Sequence, residues 1–270
     1  MNASVASPTL RILCIGDIVG SPGRSAVKRL LPALIAERRI DLVIANAENI
    51  AGGNGITAET AADLLALPIA VLTGGNHTWR FKEAATLLER QRERVIRPYN
   101  FPAGTPGAGS AICQGPGGIE VAVLNLQGRV FMDPVPSPFE AAREAVALLR
   151  QRTPIIIVDM HAEATSEKRA LGWYLDGQVS AVVGTHTHVQ TADEEILPGG
   201  TAYLTDLGMT GPYDSVIGTQ KELVLERFLT LRPTRFAVAE RDLRLCGALI
   251  EVEIATGRAR TIERVCRRPS

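Results

Sequence analysis

Charge of one sign is what this sequence lacks most plainly. Lysine plus arginine and aspartate plus glutamate each total 29, so the formal net charge is zero. A protein that grips duplex nucleic acid carries a basic excess to neutralise phosphates, so no duplex partner is expected. Long apolar runs are missing as well. None approaches the ~18 residues a helix needs to cross a bilayer, and no membrane partner is expected. Cysteine is scarce: Cys14, Cys113, Cys246 and Cys266 form no Cys-x-x-Cys pair and lie far apart. They read as small apolar residues rather than disulfides or zinc ligands. Residues 1–8 show neither the basic nor the apolar region of an export signal, so a cytoplasmic location is expected. The basic end (Arg258, Arg260, Arg264, Arg267, Arg268) reads as solvated surface.

What is present is alternation. Strand-like apolar runs at 10–15, 42–45, 69–73, 119–126, 155–159, 179–183 and 202–204 are interleaved with helical stripes at 24–39, 58–67, 82–92, 139–150 and 166–176. Thr57 suits an N-cap, and Pro32 should kink or shorten its helix. Residues 98–118, rich in Pro and Gly, read as loop with one short strand. Residues 247–254 and 258–265 flank Ala255-Thr256-Gly257 as a hairpin. The pattern predicts an α/β fold, parallel strands first and antiparallel ones later. Short connections predict a single domain over residues 1–270.

Histidine is rare, and its placement is informative. All four residues, His77, His161, His186 and His188, follow apolar runs in the company of Asp, Glu or Asn. Two further runs end in Gly16-Asp17 and Asn46-Ala47-Glu48-Asn49. Strand ends are where backbone pairing stops and side chains can converge on a ligand. Imidazoles, carboxylates and carboxamides together suit a pair of hard-to-borderline divalent metals. Taken alone, Asp17 reads more readily as a turn or helix-cap aspartate than as a ligand. Gly74-Gly75 before Asn76-His77 allows the close approach a crowded site needs. On an extended segment, His186-x-His188 would place both rings on one side, about 7 Å apart. Two such metals need a bridging carboxylate and an open position for water or hydroxide. No cysteine stands in these blocks, which disfavours a structural zinc site.

The ordered blocks Gly-Asp, Asn-x-Glu-Asn, Gly-Asn-His, strand-x-His and Gly-x-His-x-His resemble the calcineurin-like metallophosphoesterases. Two departures are visible. Asp17-Ile18-Val19 replaces the usual Asp-x-His, and Glu48-Asn49 stands where Gly-Asp is usual. Both fit the YmdB-like phosphodiesterase branch, which the chain resembles over nearly its full length. The resembling stretches include 159–168 (DMHAEATSEK), 183–193 (VGTHTHVQTAD) and 205–218 (TDLGMTGPYDSVIG).

The resemblance implies a two-layer mixed β-sandwich flanked by helices, and metal-dependent hydrolysis of phosphodiesters, including 2′,3′-cyclic nucleotides, by a metal-bound hydroxide. It implies two divalent or mixed-valence ions, iron or manganese. Carried over by motif, Asp17, Asn49 and His188 hold one ion, Asn76, His161 and His186 the other, and Glu48 bridges. His77 is then left free to donate a proton to the leaving oxygen, or to orient a ligand. The partner is a small phosphodiester or cyclic nucleotide, and homo-oligomerisation is left open.

The segment 208–214 reads as too polar and Gly-rich for core. Gly211 and Tyr213 become candidates for substrate contact on a rim loop, with a loop that merely closes the fold or meets another subunit as the alternative. A nucleotide-binding regulatory protein with weak or incidental hydrolase activity is the competing function, suggested by Gly16-x-x-x-Gly20-x-x-Gly23. That spacing matches neither a dinucleotide fingerprint nor a P-loop. A metal-dependent amidohydrolase expects its His-x-His after the first strand, and no Gly-x-Ser-x-Gly elbow is present for a serine hydrolase.

Overall fold

The computed structural model describes residues 8–269. The leader-free reading of residues 1–8 therefore lies, but for Pro8, outside the described residues. Alternation along the first strand decides the layering. In β1 (Thr9–Ile15), Ile12 and Cys14 face one apolar cluster while Leu13 and Ile15 face another. A strand buried on both faces must lie between two layers.

Sheet one runs β4 (Val95–Ile96), β3 (Val71–Thr73), β2 (Leu42–Asn46), β1, β12 (Leu243–Glu253), with β13 (Ala259–Arg267) and β11 (Gly211–Pro212) also paired to β12. Strands β1 to β4 are parallel, and β12 joins antiparallel, Cys14 opposite Ala248. Sheet two runs β5 (Ser110–Gln114), β6 (Glu120–Gln127), β7 (Ile156–His161), β8 (Ala181–Thr185), β10 (Ala202–Leu204), β9 (Glu195–Ile196), parallel from β6 to β10. The sheets meet through Ile12, Ile44 and Val71 on one side and Val123, Ile157 and Val183 on the other.

Helices α1 (Gly20–Arg38), α2 (Ala58–Leu65) and α3 (Ala84–Arg90) cover the outer face of sheet one. Helices α4 (Pro138–Leu149) and α5 (Thr165–Leu175) cover that of sheet two. This is the expected sandwich between helices. Among the described residues, no helix is long and apolar enough to cross a membrane.

Thr57 caps α2 as expected, accepting from the Thr60 N–H at 3.2 Å while Thr60 answers in a capping box. Pro32 departs from expectation, because α1 runs through it without interruption. The proline and Lys28, whose carbonyl loses its helical partner, lie on the solvent side. Water can take that carbonyl, and burial of Val27, Leu31 and Leu34 holds the helix. Helix α6 (Lys221–Thr230) has no counterpart in the sequence reading; it buries only Val224 and so shows no clean stripe. The cysteines are free, but Cys266 is exposed and lies 3.4 Å from Cys246 across the β12–β13 pair, a neighbourhood sequence distance hid. The basic end is tied down by pairs such as Arg264–Glu194.

Gly184 governs how closely the chain after β10 approaches β8. A Cβ there would meet the Thr205 carbonyl oxygen at 1.8 Å, backbone that cannot swing away. Gly184→Ala is expected to lower unfolding stability by about 3 kcal/mol, the upper part of the overpacking range. Urea denaturation checks this, and an unchanged midpoint contradicts it.

Candidate metal centre

Parallel strands β1, β2, β3, β7 and β8 all end at the same edge of the sandwich, and both sheets contribute. The loop after β1 carries Asp17, that after β2 carries Glu48 and Asn49, and that after β3 carries Asn76 and His77. His161 is the last residue of β7, and His186 and His188 follow β8. Asp17, Glu48, Asn49 and His161 are almost wholly buried. Helix α1 starts at Gly20 with Val19 as N-cap, so Asp17 is not a cap.

Four lone-pair atoms close on one point. Around His161 Nε2 stand Asn76 Oδ1 at 2.9 Å, His186 Nδ1 at 3.1 Å and Glu48 Oε2 at 3.2 Å. Two hydrogen bonds decide which ring nitrogens face inward. The Thr185 hydroxyl donates to Asp159 Oδ1 at 2.6 Å and accepts from His161 Nδ1 at 2.9 Å, which turns Nε2 to the centre. His186 Nε2 lies 3.2 Å from Glu163 Oε2, which leaves Nδ1 inward. Acceptors so arranged repel one another unless a proton or a cation stands among them. Glu48, His161 and His186 alone make a three-residue group able to hold a metal ion.

Glu48 faces both ways. Its Oε2 belongs to that group, and its Oε1 accepts from Asn49 Nδ2 at 2.9 Å. Beyond Asn49 lies His188 Nε2 at 3.2 Å, itself 3.8 Å from Asp17 Oδ1. His188 Nδ1 donates to the Ile217 carbonyl at 2.9 Å, so Nε2 presents its lone pair. Asp17 Oδ2 accepts the His186 N–H at 3.0 Å, but buried Oδ1 has no hydrogen-bond partner. An orphaned carboxylate oxygen beside an imidazole lone pair fits a second cation. Asn49 shows its nitrogen to this half and its oxygen to His77 Nδ1 at 2.8 Å, and a half-turn of the carboxamide exchanges the two.

Burial raises Asp17 to about 6 despite His188 and His161. Burial also opposes ionisation of Glu48, but His161 and His77 hold it well below the usual carboxylate range. His161 overcomes its burial through Glu48, Asp17 and Asp159 and rises to about 9. Burial and the neighbouring His161 charge push His186 down to about 3. The centre thus keeps a proton where a cation would serve.

Gly75 is indispensable for proximity rather than for conformation. An added Cβ would lie 2.3 Å from Glu48 Oε2 and 2.4 Å from His161 Nε2. The extended reading of His186-x-His188 is corrected: β8 stops at Thr185, and His186 and His188 adopt φ of 98° and 64°. Such backbone is costly for non-glycine residues and persists only where its surroundings enforce it. Asp206 does so. Its Oδ2 accepts the Thr187 N–H at 3.2 Å and hydroxyl at 2.7 Å, and buried Lys168 pairs with it at 2.7 Å.

His77 stands outside the ligand ring, with its side chain 37% exposed and its backbone N–H donating to Glu48 Oε2 at 3.0 Å. Segment 208–214 also departs from expectation. Gly208 to Pro212 are buried, because this loop packs on the Asp17 turn through Thr210 N–H to Asp17 carbonyl (2.8 Å) and Val19 N–H to Thr210 carbonyl (2.9 Å). Gly211 lies within that core strand, and the Tyr213 hydroxyl donates to the Met209 carbonyl at 3.0 Å and does not join the ligand ring. The Gly16 and Gly23 pattern has the same cause. A Cβ on either would strike the Gly208 or Thr210 carbonyl, at 1.9 and 2.6 Å.

Sequence reasoning gave no roles to Thr185, Lys168 and Asp206 or to the Ile217 carbonyl. The available signal was that resembling stretches 159–168 and 205–218 run past their ligand residues.

Sandwich and strand-end cluster together define the metallophosphoesterase-like phosphatase class. A crystal structure of a novel phosphatase from Mycoplasma pneumoniae matches with a TM-score of 0.90 at 32% identity, covering 97% of this chain and 94% of that one. A hypothetical protein from Thermus thermophilus matches with a TM-score of 0.88 at 42% identity, covering 97% and 100%. A 2′,3′-cyclic-nucleotide 2′-phosphodiesterase of Bacillus subtilis strain 168 is 50% identical over 256 residues, 95% of this chain and 96% of that protein. The family model described as YmdB-like protein matches residues 13–265. The chain belongs to the YmdB-like family.

The upward shifts at Asp17 and His161 set a pH dependence. In metal-free protein these groups contribute stability below their unfolded values of about 3.9 and 6.5, which is lost as pH rises through about 6 and 9. A cation must displace the same protons, so its affinity falls as pH drops. Added Mn²⁺ is expected to raise the Tm more at about pH 8 than at about pH 5, with proton release on binding. Scanning fluorimetry and calorimetry in two buffers check this, and a pH-independent shift contradicts it.

Proposed function

We propose that this chain hydrolyses small phosphodiesters, 2′,3′-cyclic nucleotides among them, with two metal ions at the strand-end centre. It is an enzyme of the phosphodiesterase and phosphatase kind, and the substrate class follows the name of its Bacillus subtilis relative. The carrying observation is Glu48, whose Oε2 lies against His161 Nε2 while its Oε1 is linked through the Asn49 carboxamide to His188 Nε2, so that one carboxylate borders both halves of the centre.

Asp17, Asn49 and His188 would hold one ion, Asn76, His161 and His186 the other, and Glu48 both. Nitrogen and oxygen ligands without thiolate accommodate iron or manganese, the ions that the family resemblance implies. Bound there, the ions would supply Lewis-acid polarisation of the phosphoryl oxygens and a nucleophile at neutral pH. The protein's own residues do the rest. Burial of Asp17, Glu48 and His161 keeps water from screening the charges they set against the phosphate. The hydrogen bonds to Thr185 and Ile217 hold His161 and His188 in ligating orientation before substrate arrives.

His77 fills a different role. Asn49 and Glu48 engage its Nδ1, and the half-exposed ring can hold a proton on Nε2 for the departing alkoxide. A positioned acid typically contributes ~10²–10⁴-fold.

Glu48→Ala is expected to empty both metal positions and Asp17→Ala mainly one. Elemental analysis checks this, and a single tightly held metal in the parent protein defeats the dinuclear reading. His77→Ala should retain both metals and slow cyclic-nucleotide hydrolysis by about 10²-fold or more, while a nitrophenyl diester, whose leaving group needs no proton, slows much less. Metal loss, or equal slowing of both substrates, would make His77 a ligand or scaffold residue instead.

A further inference from the structure

Strand β6 also ends at the edge that carries the candidate metal centre, and its last residue is Gln127. Gln127 is paired in register with His161, so it lies one strand over from a candidate ligand. Its side chain is 1% exposed, and its Oε1 is buried with no hydrogen-bond partner. Leaving such an atom unpaired is costly, and a site built to pair with a ligand is one reason to keep it. Gln127 lines a cleft of about 190 Å³ together with Asn76, Trp79, Phe101 and Asp133.

The composition of the cleft selects its occupant. Asn76 is shared with the metal centre, so the cleft adjoins that centre and one small molecule can reach both. Trp79 and Phe101 lie with ring centroids 6.1 Å apart and planes 39° from parallel, and Trp79 is 39% exposed. The open part of the Trp79 ring offers a flat apolar face on which a planar group can stack. Asp133 on the wall repels a phosphate, so the anionic part of a substrate belongs at the metals and a neutral part belongs here. A neutral, flat group with an N–H on its edge satisfies the rings and the orphaned Oε1 together. Every natural nucleobase carries such a donor.

We propose that this cleft is the nucleobase subsite of the enzyme, with Trp79 stacking on the base and Gln127 Oε1 accepting from its edge. The assignment rests on the phosphodiesterase reading for the identity of the attached phosphate, but the cleft can be tested without it. Gln127 is a specificity residue and Trp79 a binding residue; neither touches the reacting phosphorus. Trp79 follows His77 by two residues, so one turn carries both the proton donor and the base platform.

The test uses the full chain carrying Trp173→Phe, which leaves Trp79 as the only tryptophan of the two in the sequence. Adenosine, which has no phosphate, should quench Trp79 emission where ribose does not, and Gln127→Met should weaken that quenching. With metal-loaded protein, KM is measured for adenosine 2′,3′-cyclic phosphate and for the cyclic phosphate of 1-O-methylribose. Loss of a stacking platform weakens base binding by about 5–100-fold, so Trp79→Ala should raise the first KM at least about 5-fold more than the second. Gln127→Met should shift the same ratio in the same direction, with metal content unchanged by elemental analysis. Absence of quenching by adenosine, or an equal rise of both KM values, overturns the subsite. If adenosine quenches but neither ester is hydrolysed, the subsite stands and the phosphodiesterase reading falls.

Discussion

Asp17, Glu48, Asp159 and Asp206 are almost fully buried within reach of one edge of the sandwich, where an ionised carboxylate costs several kcal/mol unless it is matched. Each is matched differently, and much of the local architecture follows. Lys168 and the Thr187 hydroxyl answer Asp206. Asp159 accepts from Thr73, Thr185 and Asn46. Glu48 takes donors from Asn49 and the His77 backbone and lies against His161. Asp17 alone keeps an oxygen without a partner. Asp159 and Asp206 are satisfied by the scaffold alone, whereas Glu48 stands among the side chains able to hold a metal ion and Asp17 keeps an oxygen unpaired.

The matching also explains the strained and crowded backbone. His186 and His188 hold positive φ because the turn between them is pinned by Asp206, and because Asp17 accepts the His186 N–H. Gly75 has no side chain because Glu48 and His161 already occupy that space. The buried loop 208–212 supports the Asp17 turn from behind. In sites of this kind, orientation of the ligands by outer hydrogen bonds matters nearly as much as the ligands themselves. Here those bonds come from Thr185, Asp206 and the Ile217 carbonyl.

Neither sheet carries the centre alone. Asp17, Glu48, Asn49, Asn76 and His77 follow strands of sheet one, whereas His161, His186 and His188 come from sheet two. The apolar seam between them, from Ile12 and Ile44 across to Ile157 and Val183, holds the two sets of side chains against one another. The geometry of the candidate site and core packing are thus one requirement.

Much of this was legible beforehand. Apolar runs such as 42–45 and 155–159 fell on strands, since a strand buried on both faces must be apolar at every position. The polar residues at the strand ends were legible as a group, because a histidine or carboxylate directly after such a run lies where the sheet stops. Two-residue strands and α6 carry too little periodicity to be read. Pro32 misled because a local rule ignores what the rest of a helix buries. Residues 208–212 are core against expectation because polarity of side chains says nothing about a loop whose backbone is paired inward, whereas Tyr213 lines a cleft together with His188. By itself the sequence determined which residues stand at strand ends, since that depends on short-range periodicity. Only the tertiary structure decided which lone pairs face one another, which carboxylate oxygen lacks a partner, and that Gln127 lies beside His161, because those are contacts between strands distant along the chain.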